Sequence, residues 1–351
     1  LRILVALAIW IALANVGIAQ TDGGGLAGLD DNLLSVAPAE PLPVHTGIQI
    51  TQITGVDQKA ENFSVVARLR MEWQNPKMTY QPGDFRGDVR ALDSEDFLAF
   101  ARENQVLVPV ATYENLQARS FDKESLIVWT PEGDALHVSE TILTLQAPDF
   151  DFRQYPFDEQ KFFVRLIMTS PIAFFRFEAL DDFSGLGDTL GEEEWVVSDV
   201  WTEIDEATGI AGWQSSRFSL GFSAKRHLIY YWTRIFIPLL LLVSVSWANL
   251  FLQEYRRRID IASANLLAFI AFSFTVSGAL PRLGYVTFLD ALLLAMFVLS
   301  ALTVAYNVML RRMAIADQED WAYAIDWHVT IWAFPLIYIA TVFAIWMQFF
   351  T

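Results

Sequence analysis

The sequence predicts an all-β sandwich followed by a four-helix transmembrane domain. Three observations predict it. Short segments with apolar residues at every second position fill roughly residues 44–232. Four uncharged apolar runs fill the remainder. The charge is split in the same way: the chain carries −17, yet from Thr233 onward seven acids face seven arginines, so the whole excess of negative charge precedes Thr233.

The first element, "LRILVALAIWIALANVGIAQ", has one early arginine, an apolar run and small residues before a plausible cleavage site after Ala19. It reads as a signal peptide over residues 1–19; a membrane anchor is the other reading. Residues 20–43, opening "TDGGGLAGLDDN", read as a flexible segment. The sandwich, 44–232, follows. Phe63, Val65, Ala67, Leu69, Met71 and Trp73 share one face of a strand whose other face holds Ser64, Arg68, Arg70 and Glu72. "SLIVWT", "HVSETILTLQA", "KFFVRLIM", "WVVSDVWTEI" and "RFSLGFSAKR" read the same way. Many short strands with polar turns read as an immunoglobulin-like sandwich. "DSEDFLAFARENQ" reads as a short helix or loop, and "GLGDTLG" as an ordinary loop whose spacing is wrong for a phosphate site.

The four runs are Ile235–Leu252, Ile261–Leu280, Ala291–Leu310 and Val329–Phe350, within spans of about 233–253, 259–280, 286–310 and 323–350. Each is long enough to cross a bilayer, which takes about 20 residues. "QEYRRRID" carries three arginines and "RRMAIADQED" two, against only Arg282 in the connection between spans two and three, so the positive-inside rule places the first two connections in the cytoplasm and both termini outside. Trp321, Trp327, Trp332 and Trp346 suit an interfacial position for the last span. At about 100° per residue, Asp260, Ala264, Leu267, Ala271, Phe274 and Gly278 fall on one line of the second span. By pattern alone that line is equally a helix-packing seam or a water-facing stripe.

Composition excludes several classes. With no cysteine there is no disulfide, thiolate metal site or cysteine nucleophile, and His45, His137, His227 and His328 lack metal-ligand spacing. An acidic exported half argues against nucleic acid. No nucleophile–base pair or phosphate loop stands out, which argues against an enzyme. The acid clusters Asp181-Asp182 and Glu192-Glu193-Glu194 read as solvated faces, with Ca²⁺ or proton modulation as the other reading and no cofactor expected.

The loop "DFRQYPFDEQKF", Asp151 to Phe162, contains Tyr155, Pro156, Phe157 and Asp158. With Trp73 on its strand, the Pro109-to-Asn115 spacing, Arg226 twelve residues before Pro238, Ser246-Trp247, and "LPRLGYVTFLD" from Leu280, it forms an ordered set. The set resembles the prokaryotic pentameric ligand-gated ion channels, in particular the cysteine-free bacterial members of the Cys-loop receptor family. The resemblance spans about Val44 to Phe350, and the family's two loop cysteines would fall at Pro148 and Phe162.

That resemblance implies a homopentamer in a bacterial inner membrane, with lipid around it. It implies a pore lined by the second span. Asp260 would form an inner carboxylate ring favouring permeant monovalent cations, and Leu267 and Phe274 would form apolar constrictions. Arg256, Arg257 and Arg258 stand where cation-selective members carry a glutamate. Arg256 is placed to pair with Asp260, and Arg258 is expected to turn away from the pore. An unknown small molecule or the proton would bind between subunits, with Arg68, Tyr113 and Trp213 as candidates. Thr169 replaces an aromatic there, with Phe174 or Phe175 to compensate, and Arg68 suits a carboxylate. Signal transfer would run through Asp57, Tyr155, Pro156, Phe157, Asp158, Arg226, Pro281 and Tyr285, with Gln58 the alternative to Asp57. The competing reading is a membrane-anchored sensor without a pore.

Overall fold

A computed structural model of the chain describes residues 38–81, 88–118, 120–187, 190–191, 194–277, 283–316 and 318–351. The expected signal peptide, residues 20–37 of the expected flexible segment, Glu192, Glu193, Gly278 and Pro281 lie outside the described residues.

Eleven strands form two sheets. They are β1 (Leu42–Asp57), β2 (Asn62–Gln74), β3 (Arg90–Asp93), β4 (Ala111–Tyr113), β5 (Phe121–Trp129), β6 (Asp134–Gln146), β7 (Glu159–Met168), β8 (Phe175–Ala179), β9 (Gly185–Leu186), β10 (Trp195–Thr208) and β11 (Gln214–Arg226). One sheet runs β3-β5-β6-β2-β1-β8 with β9 also on β1; the other runs β10-β11-β7-β4. The alternation in β2 is the physical cause of its placement: Phe63, Val65, Ala67, Leu69, Met71 and Trp73 are all buried between the sheets. Phe162 stacks on Phe222 with ring centroids 4.9 Å apart, joining the core across β7 and β11. At Gly221 a β-carbon would collide with the Trp201 ring, which packs directly over this position. "DSEDFLAFARENQ" forms helix α1 (Ser94–Glu103), capped by the Asp93 side chain accepting from Asp96 N–H. Part of the expected "GLGDTLG" loop is strand: Gly185 and Leu186 pair in parallel with Gln49 and Ile50.

Four helices long and apolar enough to cross a membrane follow: α2 (Leu228–Asn249), α3 (Tyr255–Ser277), α4 (Phe288–Ile315) and α5 (Asp320–Phe350). They extend past the apolar runs at several ends: α2 starts at Leu228 rather than 233, and α4 ends at Ile315 rather than 310. Helical hydrogen bonding continues into polar sequence, whereas hydropathy marks only the hydrocarbon-length part. α2 and α5 share a feature hydropathy does not show. Each contains a π-helical turn, Trp232–Phe236 and Val329–Ala333, just ahead of Pro238 and Pro335. Proline donates no N–H and crowds the carbonyl four residues back, which here belongs to the widened turn. α4 opens with a capping box, Asp290 N–H donating to Thr287 Oγ1 at 3.1 Å and Thr287 N–H to Asp290 Oδ2 at 3.2 Å.

Polar side chains tie the bundle. Asn265 Nδ2 donates to Leu242 O at 3.0 Å and to Ser246 Oγ at 2.6 Å, joining α3 to α2. Arg258 is buried and donates to Asp326 Oδ1 at 2.8 Å and to the Leu252 carbonyl. In an apolar medium such groups hold only when paired.

Candidate functional sites

The register of the second sheet builds the domain junction. Lys225 of β11 pairs with Glu159 of β7, so the next residue, Arg226, falls beside Asp158. Arg226 Nε and Nη2 meet the two Asp158 oxygens at 2.8 and 3.1 Å, a bidentate pair. Both side chains are buried, 0% and 2% exposed. The guanidinium lies over the Trp195 ring at 4.2 Å and the Tyr155 ring at 4.9 Å. Burial works to lower the Arg226 pKa, and the hydrogen-bonded charge of Asp158 more than offsets it, so the net shift is upward. Burial likewise raises the Tyr155 phenol.

The loop that carries Asp158 reaches into the helices. Phe157 stacks on Phe236 of α2 at 5.8 Å and lies 5.9 Å from Phe288 of α4 and from Trp346 of α5. Tyr285 OH accepts from Phe152 N–H at 3.0 Å, Phe288 N–H donates to Arg153 O at 2.8 Å, and Gln154 Nε2 donates to Phe349 O at 3.0 Å. The Tyr155–Pro156 peptide bond is cis. The loop's ends are pinned without a covalent bridge. Gln160, buried, accepts from Asp151 N–H at 3.0 Å and donates to Asp151 O at 2.7 Å and to Asp158. Phe162 packs edge-on against Phe150 at 5.4 Å.

Asp57 does not join this cluster. Its carboxylate caps the β1–β2 turn, accepting from Lys59 and Ala60 N–H at 2.9 and 3.0 Å. Gln58 reaches the cluster instead, donating to Glu194 at 3.2 Å; Glu194 in turn meets Arg226 Nη1 at 3.4 Å and Tyr231 OH at 3.2 Å. The physical reason is the turn itself, whose backbone N–H groups claim the first carboxylate after the strand. Sequence does not single out Tyr231, and it gives Glu194 no place at this junction. Glu194 ends an acidic run that reads as solvated, and only the Trp195-to-Arg226 pairing of β10 with β11 brings it inward.

α3 has two faces in the protomer. Asp260, Ala264, Leu267, Ala271 and Phe274 are exposed, Leu267 at 66% and Phe274 at 74%. Arg258, Ala262, Asn265, Phe269 and Val276 are buried against the other helices. The intraprotomer seam is therefore the second set, not the stripe. Arg258 turns into the bundle, while Arg256 and Arg257 are exposed, and no ion pair joins Arg256 to Asp260 among the described residues.

The three ligand candidates do not meet within one protomer. Arg68 lies on β2 with its Nε 2.8 Å from Glu140, which also holds Lys123 at 3.1 Å. Trp213 sits at the β10–β11 hairpin and donates to Thr169 O at 3.2 Å. Tyr113 turns into a cavity inside the sandwich, its hydroxyl buried. Phe174 and Phe175 do not compensate for Thr169: both are buried in the sandwich core, where an apolar ring gains most.

A two-sheet extracellular-type domain seated through an aromatic loop on four spanning helices defines a receptor-channel architecture. The sequence profile of the neurotransmitter-gated ion-channel ligand binding domain matches residues 27–167. The chain is 25% identical over 303 residues to a proton-gated ion channel of Gloeobacter violaceus, covering 86% of this chain and 81% of that one. It is 20% identical over 279 residues to the gamma-aminobutyric acid receptor subunit rho-3 of Rattus norvegicus, covering 75% of this chain and 57% of that one. It is 22% identical over 305 residues to a gamma-aminobutyric acid receptor subunit beta-like protein of Drosophila melanogaster, covering 80% of this chain and 58% of that one. The chain is thus similar to ligand-gated ion channels over most of its length, and its four long apolar helices are those of a multi-pass membrane protein.

Proposed function

We propose that five copies of this chain surround a cation-conducting pore lined by α3. One observation carries the reading: the stripe of Asp260, Ala264, Leu267, Ala271 and Phe274 is left uncovered while the opposite face of α3 packs in the bundle. A single stripe encloses no water, so closure needs further copies around an axis. Five Asp260 carboxylates ring the inner end and attract cations, and five Leu267 side chains make a constriction that dewets. Arg258 is spent on Asp326, which leaves Asp260 the nearest fixed charge on the stripe. The arginine-bearing connections face the cytoplasm and the termini the outside, in a bacterial inner membrane.

A small molecule or the proton opens the pore, without a cofactor, through the sandwich and the Asp158–Arg226 junction. The proton is favoured by similarity to a proton-gated channel. Reversal potentials in a salt gradient test selectivity. Asp260→Asn moves the reversal potential toward the anion equilibrium value; an unchanged potential transfers selectivity to the exposed Arg256 and Arg257 or to another ring.

A further inference from the structure

At the end of the bundle remote from the sandwich, all four long helices meet at one ion pair. Arg258, in the first turn of α3, donates from Nη1 to Asp326 Oδ1 of α5 at 2.8 Å, and the two side chains are 5% and 11% exposed. The same carboxylate oxygen accepts from Tyr306 OH of α4 at 3.3 Å and from Thr330 Oγ1 at 3.5 Å. From α2, Trp247 Nε1 donates to the Thr330 carbonyl and Asn249 Nδ2 to the Arg258 carbonyl, both at 2.9 Å. Arg258 Nε donates to the Leu252 carbonyl, and the guanidinium carbon lies 5.1 Å from the Tyr255 ring centroid. Among the described residues, Asp326 is the only carboxylate within ion-pair distance of Arg258. Two residues on, Asp260 is exposed on the uncovered stripe.

We propose that Asp326, on the helix farthest in sequence from α3, determines ion selectivity as a positioning residue: it holds the Arg258 charge inside the bundle and away from Asp260. The proposal rests on the reading of α3 as the pore helix. Residues two apart on a helix point about 200° away from each other, which is why Arg258 faces the bundle while Asp260 faces out. A guanidinium is charged at every physiological pH. Deprived of its carboxylate, it is not retained in an apolar interior. Its long apolar stem lets the head reach water from a buried backbone position. Water is close, because the neighbouring Arg256 and Arg257 are already exposed. Two residues rise only about 3 Å along the axis, so the freed charge lies within the Debye length of about 10 Å from Asp260. In a pentamer that release happens five times, and a second positive ring opposes the carboxylate ring. The contacts from Tyr306 and Thr330 fix the Asp326 oxygen that Arg258 meets, so three helices set where a charge on the fourth resides.

Two readouts on the full chain in lipid test this. The first is the reversal potential in a salt gradient. Asp326→Asn lowers the cation-to-anion permeability ratio about fivefold or more, the scale of one charge–charge contact in water. Adding Arg258→Gln to Asp326→Asn returns the ratio to the parent value, because no guanidinium is left to release. A pair that merely braces the bundle would alter assembly or opening but not this ratio, and its loss would not be reversed by a second substitution. The second readout needs no current: phenylglyoxal modification of arginines, located by tandem mass spectrometry. In the parent Arg256 and Arg257 react and Arg258 is protected; in Asp326→Asn, Arg258 reacts about tenfold faster or more once it reaches water. Arg226, buried in its own pair, stays protected throughout and reports that the fold is intact. A parent without cation preference would overturn the selectivity reading of Asp260 and leave the labelling to decide this proposal. Should Asp326→Asn fail to assemble, the double variant decides, with the parent ratio expected. The proposal is overturned if Arg258 reacts in the parent as fast as Arg257, if it stays protected in an assembled Asp326→Asn channel, if that channel keeps the ratio of a cation-selective parent, or if the double variant does not assemble or loses cation preference.

Discussion

Arg226 makes bonds that no pair of substitutions leaves independent. Its bidentate contact with Asp158 is fully buried, and breaking such a pair from one side costs about 3–5 kcal/mol because the remaining charge has no solvent. Asp158→Asn and Arg226→Gln therefore each lower the melting temperature of the solubilised protein sharply, and the double variant loses less than the sum. Strictly additive losses would show that the two do not act as a pair. His137 gives a second prediction at this scale. Burial lowers its pKa from the ordinary 6.5 to about 4 in the folded chain, so the unfolded chain binds more protons between those values. Stability is full above about pH 6.5 and declines as pH falls toward 4, by roughly 3 kcal/mol in total. Thermal melts across that window show a steeper acid loss in the parent than in His137→Gln. Parallel curves would remove His137 from the account.

The strands and spans were legible in the sequence because their signals are local. β2 buries every residue its period-two pattern selects, and α3 exposes the described residues of the stripe its helical period selects. What was not legible depends on contacts between distant elements. Glu194 reads as one more solvated acid until the β10–β11 register turns it toward Arg226. Tyr113 reads as an interface aromatic until the β4–β7 pairing points it into the sandwich, and Phe174 or Phe175 reads as a ligand-site ring compensating for Thr169 until β8 closes on β1 and buries both. The π-helical turns before Pro238 and Pro335 are invisible to hydropathy. At the level of α3, Leu267 is a large apolar side chain left 66% exposed by its own protomer. If it forms a constriction, Leu267→Ser hydrates it and raises the resting leak current. A variant that reaches the membrane and closes like the parent moves the gate to Phe274.

In the whole molecule the junction and the stripe are joined by one continuous path. β7 and β11 hold the Asp158–Arg226 pair, the loop between β6 and β7 carries Phe157 into the helix ends, and Tyr285 precedes α4 while touching that loop. Contacts therefore run from the sandwich through this loop to α2, α4 and α5, and α3 packs on α2 and α4. The central claim is that the uncovered face of α3 meets water along a pore. Because the chain has no cysteine of its own, single cysteines on α3 report accessibility without background. Current is recorded in lipid while a charged thiol reagent is applied to variants along the helix. Modification is expected to block current at positions 264, 267, 271 and 274 and to leave it unchanged at 262, 265 and 269. Block at the second set, or at none of the first in a conducting channel, would contradict the assignment of α3 as the pore helix.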